Sequence, residues 1–341
     1  MLDKPDLQDK LLITHLFDAY GLRAAQLAFL PLGADVNTAV YRVRADDGRA
    51  YFLKLRRGPF DEMSVAIPAF LCEQGIGQII APIRNTTGQL WSSLKNFTLT
   101  LVPFVEGLDA YQVNLSEHHW VEFGAALKRI HTASLPAVLS GGLPRETYSP
   151  HWRERVRAFQ SRLRDSVFED PLAAELAAIM QARAAVVREL VEGAERLGQA
   201  LERRSQEWIL CHADLHAGNI LIGQNGSLFI VDWDTALLAP KERDLMFVGS
   251  GLGPGWNQAR ETAWFYQGYG PVEVDPVALA YYRCERIVQD IDAFCEQIFS
   301  TTEAGQDRSQ ALRYLLSQFQ PNGVVEIALH SCRAVAAPSA R

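Results

Sequence analysis

Long apolar runs are missing from this chain of 341 residues. No stretch of 18 consecutive apolar residues occurs, so no membrane-spanning helix is expected. The opening residues, MLDKPDLQDK, lack the apolar segment of a secretory leader, and a soluble cytoplasmic protein is expected. Positive charge is short as well. With 33 Lys and Arg against 40 Asp and Glu, the net charge of −7 leaves no basic footprint for nucleic acid. Cysteine is sparse and odd in number. Cys72, Cys211, Cys284, Cys295 and Cys332 are scattered in apolar surroundings without a C-x-x-C spacing, which predicts reduced core thiols. What remains is ordinary for a globular protein, 48% hydrophobic and 21% charged, with length enough for two lobes.

The densest chemistry lies between Trp208 and Asp234, WILCHADLHAGNILIGQNGSLFIVDWD. A short apolar run, Trp208 to Cys211, reads as a buried strand that ends at His212, Asp214, His216 and Asn219. A second strand runs from Asn219 to Gly223. Asn225-Gly226 predicts a two-residue hairpin turn, and a third strand, Leu228 to Val231, delivers Asp232 and Asp234. In an antiparallel hairpin Asn219 and Asp232 become neighbours. A carboxylate and an amide oxygen side by side, with Asp214 on the preceding loop, make a hard-oxygen site suited to Mg²⁺. Taken singly, the same residues would serve as loop caps beside a core histidine.

His212-x-Asp214 with Asn219 five residues on, a hairpin and then Asp232-x-Asp234 resembles the signature of protein-kinase-like phosphotransferases. Ala213, where regulated protein kinases carry Arg, makes the match resemble the aminoglycoside phosphotransferase family. The resemblance implies an α+β, two-lobed protein-kinase-like fold, with a small β-rich N-lobe and a larger, mainly helical C-lobe. It implies Asp214 as the base that takes the acceptor hydroxyl's proton, Asn219 and Asp232 as Mg²⁺ ligands, and ATP as the phosphoryl donor. The segments YFLKL, PFDE, CHADLHAGN, IVDWD, LLAPKERDLMF, YYRCERIVQDI and NGVVEIA resemble a member of that family acting on an aminocyclitol antibiotic.

Towards the N-terminus, residues 7 to 20 have helical spacing that stops at Gly21, and from Leu27 the pattern turns to strands. The loop Gly33–Thr38 has no G-x-G-x-x-G. Its small polar residues, Gly33, Asp35 and Asn37 among them, suit either a phosphate cover or an ordinary hairpin loop. Lys54 sits in the apolar strand Tyr51–Leu55 and needs an anionic partner or a route to solvent. By resemblance it meets the ATP phosphates and a helix glutamate, for which Glu62 is the choice and Asp61 the next, although Pro68 interrupts that helix. By the same resemblance the Pro103 carbonyl and the Val105 N–H hold adenine. The expected division is an N-terminal nucleotide-binding lobe over 1–102, a hinge over 103–107 and a catalytic and substrate-binding lobe over 108–341.

Residues 232 to 300 hold eleven Asp and Glu against five Lys and Arg, a surface that would draw a cationic acceptor. Asp234, Glu242, Glu285 and Asp292 are the candidates to meet its amines, the last two on a charged stripe of a helix over 278–299. Asp244 resembles the family's anchoring aspartate. The expectation is therefore ATP- and Mg²⁺-dependent transfer to a hydroxyl of a cationic aminocyclitol, with no nucleic-acid or membrane partner and the oligomeric state open. A kinase of a small metabolite, such as an amino alcohol or sugar, would carry the same residues. A non-catalytic nucleotide-binding module would ordinarily have lost Asp214, Asn219 or Asp232, and all three are present.

Overall fold

Apolar residues at every second position give the first hundred residues their strands. The computed structural model describes residues 4–32, 35, 37–165, 168–253, 256–300 and 306–336. The chain opens with helix α1 (Asp9–Tyr20) and strands β1 (Ala24–Leu30), β2 (Thr38–Ala45) and β3 (Ala50–Arg57). Helix α2 (Met63–Glu73) leads to β4 (Ser92–Leu94), β5 (Phe97–Pro103) and β6 (Gly107–Asp109). Helices α3 (Glu117–His131), α4 (Ala137–Gly142), α5 (His151–Asp165), α6 (Pro171–Ala182) and α7 (Ala184–Glu202) follow. Four short strands come next: β7 (Ile209–Cys211), β8 (Ile220–Gly223), β9 (Leu228–Ile230) and β10 (Leu237–Ala239). The remainder is α8 (Glu242–Leu245), α9 (Ala259–Tyr269), α10 (Pro276–Ser300), α11 (Gln306–Gln318) and α12 (Val324–Ala336). An antiparallel sheet in the N-terminal part and helices in the C-terminal part make the expected α+β class.

Packing divides the chain into two units. The first comprises Met1–Leu115, Ala133–Leu143 and Ala217–Ala236, and the second Ser116–Thr132, Pro144–His216 and Leu237–Arg341. This differs from the expected cut at 103–107. Strand β9 bonds back to the early chain, with Ile230 N–H donating to the Gln78 carbonyl at 2.8 Å, so the hairpin goes with the N-terminal part.

In the first unit the antiparallel order is β1-β2-β3-β5-β4. Leu53 and Leu55 of β3, Phe97, Leu99 and Leu101 of β5, and Tyr41 and Val43 of β2 share one face with Leu12 and Leu16 of α1. Each such side chain contributes about 1.5–3 kcal/mol by leaving water. Lys54, between Leu53 and Leu55, therefore points to the other face, paired in register with Val40 and Thr100. A second sheet, β6-β8-β9, pairs Ile220 with Ile230 and Ile222 with Leu228. Its turn is wider than the expected two residues. Gly223 N–H bonds the Ser227 carbonyl at 2.9 Å, Gly226 N–H bonds the Gly223 carbonyl at 2.8 Å, and Gly226 takes φ 81°. That is a turn closed by a left-handed glycine. Gly107 lets β6 lie close beside its antiparallel partner β8, because a Cβ there would lie 2.2 Å from the Ile222 carbonyl oxygen.

In the second unit α10 is the central helix, with buried Val288, Ile291, Cys295 and Ile298 along the expected apolar stripe. Cys284 of that stripe faces Cys332 of α12, with their Cα atoms 7.4 Å apart, wider than a disulfide ordinarily spans. The facing of α10 and α12 brings together these cysteines, 48 residues apart, and their thiols lie 3.6 Å and 3.7 Å from the Ala328 and Ala280 carbonyls. Cys72 is exposed rather than in the core. Strand β7 pairs antiparallel with β10, Leu210 opposite Leu238, and its end sets the direction of His212.

Candidate active site

In the first unit the site grows from β3 and the β8–β9 hairpin. The Asn219 carbonyl accepts the Val231 N–H at 3.0 Å, which carries the Ile220–Ile230 pairing one step further and sets Asn219 beside the Val231-Asp232 corner. Asn219 is buried, at the end of a 3₁₀ turn over Ala217–Asn219. Asp232 adopts φ 65°, a left-handed backbone uncommon outside glycine and concentrated at functional sites. The Lys54 ammonium donates to Asp232 Oδ1 at 2.8 Å and to Asp234 Oδ2 at 2.8 Å. Burial alone would lower its pKa, but the two carboxylates outweigh it and hold the ammonium firmly protonated. Arg56, two residues on and so on the same face of β3, donates to Asp234 Oδ2 at 2.9 Å. Hard oxygen donors at Asn219 and Asp232 fit Mg²⁺.

Several expected residues stand elsewhere. Glu62 is exposed at the N-terminal end of α2, and Lys54 is paired with Asp232 and Asp234 in its place. The reason is reach: Asp234, two residues beyond Asp232, arrives at the ammonium where a helix glutamate was expected. Asp61 turns back on its own chain, accepting the Met63 N–H at 2.9 Å. Gly33 lies outside the described residues. Asp35 and Asn37 are exposed, and Asp35 caps its loop by accepting the Asn37 N–H at 2.8 Å and the Thr38 hydroxyl at 2.7 Å. Pro103 ends β5, and the Phe104 N–H bonds the Ala50 carbonyl at 3.0 Å. The next residues are steadied by an Arg42–Glu106 ion pair and by Arg42 over the Phe104 ring at 4.8 Å. Among the described residues the Val105 N–H takes part in no backbone bond.

In the second unit β7 hands the chain to the loop His212–His216. Asp244 holds that loop by its backbone, with the His212 N–H donating to Oδ2 at 2.9 Å and the Ala213 N–H to Oδ1 at 2.6 Å. Ala213 is thereby kept at φ 68°. His131 Nε2 lies 3.0 Å from Asp244 Oδ2, and its Nδ1 lies 2.7 Å from the Tyr269 hydroxyl. Burial would raise the Asp244 carboxyl, yet His131 and the loop amides hold it below its usual range. Among the described residues His131, Cys211 and Asp244 are the one clustered set of metal-type donors. Their donor atoms are already engaged, the Cys211 thiol with the Pro240 carbonyl at 3.5 Å, and burial pushes that thiol up, so the cluster is a structural knot.

Asp214 comes off this loop paired to Arg286 of α10, with His216 Nε2 3.6 Å away. Burial pushes its carboxyl up, but Arg286, His216 and His212 more than reverse this and hold it well below the usual carboxylate range. Arg286 was not among the expected residues. Its signal was present as an Arg–Asp pair four apart, Arg286 and Asp290, one position round the helix from the acid stripe.

The acceptor candidates on that stripe are engaged inside the unit. Glu285 is buried against Arg153 at 2.7 Å, and burial pushes its carboxyl up to about 7. Asp292 is buried against Arg155 at 2.7 Å. Glu242, also buried, accepts the Asp275 N–H at 2.9 Å and the Lys241 ammonium at 3.0 Å. Asp234 belongs to the first unit with Lys54 and Arg56. The acidic surface expected for amines is thus largely an arginine-paired interior, because α5 presents Arg153 and Arg155 to α10.

The sequence pattern of the phosphotransferase enzyme family matches residues 28–277. The structure is similar to spectinomycin phosphotransferase APH(9)-Ia in complex with ADP and spectinomycin, with TM-score 0.90 and 37% identity. That likeness covers 96% of this chain and 99% of the other. The AMP-bound complex of the same enzyme matches with TM-score 0.84 and 36% identity over 94% of this chain and 97% of that one. A curated relative, Protein StrN of Streptomyces griseus, is 27% identical over 182 residues. That match takes in 52% of this chain and 56% of StrN, little more than half the relative's length. The fold is the protein-kinase-like one of these phosphotransferases.

Proposed function

Because the chain belongs to the phosphotransferase enzyme family, we propose that it moves the γ-phosphate of ATP to a hydroxyl of the aminocyclitol antibiotic spectinomycin. The observation that carries this reading is the likeness, 37% identical over 96% of the chain, to an enzyme seen with ADP and spectinomycin bound. In support, Asp214, Asn219, Asp232 and Lys54 are all in place in the sequence. Residues 1–102 would serve the nucleotide, 103–107 would link, and 108–341 would bind the acceptor. Use of ATP suits a cytoplasmic enzyme, and among the described residues no helix is long and apolar enough to cross a membrane.

The chemistry assigned to the chain is mostly positioning. Asp214 orients the acceptor hydroxyl and takes its proton as the new oxygen–phosphorus bond forms and the bond from Pγ to ADP breaks. Its depressed pKa suits this, since in a loose transition state the proton leaves late and a strong base is not needed. Lys54 exchanges one of its carboxylate partners for phosphate oxygens, and Arg56 keeps Asp234 neutralised meanwhile. Asn219 and Asp232 would hold Mg²⁺, whose charge offsets that of the phosphates. Pro103 and Val105 offer a carbonyl and an N–H to adenine.

The test is ADP release from ATP and Mg²⁺ with spectinomycin, kanamycin, streptomycin, choline and homoserine in parallel. Release confined to spectinomycin is the expected result. Release with choline or homoserine alone would overturn the antibiotic acceptor and leave a metabolite kinase.

A further inference from the structure

The carboxylate of Asp214 is gripped by a device that the phosphotransfer signature does not include. Arg286 donates through Nη1 to Asp214 Oδ1. Its own Nε lies 2.9 Å from Asp290 Oδ1, one helical turn on. Asp290 in turn accepts from Gln318 Nε2 of α11 at 2.8 Å. The guanidinium also faces the Phe247 ring at 5.6 Å, and its side chain is 17% exposed. Arg286 is thus fixed by two helices and an aromatic ring before it meets Asp214.

We propose that Arg286 is a positioning residue for the transfer: by holding Oδ1 it fixes the rotation of the Asp214 carboxylate, and so the direction in which it takes the acceptor's proton. The inference rests on the reading of Asp214 as the base. A carboxylate torsion is broad when left alone, whereas a planar guanidinium presents its donors in a rigid fork. The same pairing cancels the negative charge that would otherwise repel an incoming phosphoryl group. Asp290 and Gln318 keep the fork from turning away.

The charged groups that act most strongly on Asp214 are Arg286 from α10 and His216 and His212 from its own loop; Asp290 stands behind Arg286. Burial drives the Asp214 carboxyl up, and Arg286 is the strongest group opposing it. Removing the guanidinium therefore moves the acid limb of the rate profile towards neutral pH, because a carboxylate that protonates at higher pH loses its function sooner on acidification.

The experiment measures kcat, KM for ATP and the pH profile with spectinomycin as acceptor, for Arg286→Met, Arg286→Lys and Asp214→Asn, with a thermal melt of each. Arg286→Met is expected to lower kcat by ~10²-fold, the cost of a misplaced reacting group, with KM for ATP within about twofold and the acid limb displaced upward. Arg286→Lys restores charge without the fork, so kcat recovers only in part, remaining about tenfold low, while the acid limb returns. A folded Met variant with kcat within about threefold of wild type and an unmoved acid limb would overturn the proposal. If the Met variant does not melt cooperatively, the Lys variant decides, and an undiminished kcat there overturns it. Near-wild-type turnover by Asp214→Asn would instead remove the base reading itself, whatever Arg286 does.

Discussion

Asp244 shows how one buried side chain shapes a loop at a distance in sequence. Its two oxygens take the His212 and Ala213 amides, and His131 supports it from α3. The loop's strained step at Ala213 would relax without these bonds, and the amides would be left unmet inside the protein. Asp244→Asn should therefore cost about 3 kcal/mol at neutral pH, the upper end for hydrogen bonds to a charged group. The pH dependence has a definite sign. The folded carboxyl lies below its unfolded value, so the stabilisation is whole above about pH 4 and is lost as pH falls through the lower folded value. Urea denaturation of both proteins from neutral to acid pH checks this, and a gap that did not narrow below about pH 4 would contradict it. Lys54 shows the opposite arrangement, a cation kept charged by two carboxylates despite burial.

At the scale of elements, the β8–β9 hairpin has the largest consequence. Its register sets Asn219 beside the corner that carries Asp232, and Gly226 closes the turn at a φ that suits glycine. Gly226→Val should destabilise the protein by ~1–2 kcal/mol, the cost of a left-handed non-glycine residue. It should also raise the Mg²⁺ needed for half-maximal rate, because the register of the two positions proposed to hold the metal loosens. An unchanged Mg²⁺ titration beside a lowered denaturation midpoint would separate the turn from the metal. The hairpin was legible in the sequence because all its determinants lie within some fifteen residues and are local: alternation, Asn225 and Gly226. Lys54 was legible for a similar reason, as a lone charge in an apolar strand. Helix α10 was legible only in half. Its periodicity showed which residues share a stripe, but not that Arg153 and Arg155 of α5 would cover the acids, nor that Arg286 would reach Asp214, 72 positions upstream. Nor did the sequence show that Lys54 would meet Asp232 and Asp234, far along the chain, rather than Glu62.

At the scale of the molecule, much of the negative charge is paired within the fold. A large part of the excess in residues 232–300 is answered by arginines from α5, and Asp275 by Arg204 just after α7. The overall charge of −7 is thus a weaker guide to a cationic acceptor than the likeness to an enzyme seen with spectinomycin bound. The proposed transfer gives the base role to Asp214, of the second unit, and the phosphate and metal roles to Lys54, Asn219 and Asp232, of the first. The measurement that bears on it most directly is transfer of the labelled γ-phosphate from ATP to spectinomycin by the wild-type protein and by Asp214→Asn. The account predicts labelled, phosphorylated spectinomycin with the wild type and a rate ~10³-fold lower with the variant, which should still bind ATP. Unlabelled spectinomycin with the wild type, or equal labelling by both proteins, would contradict it.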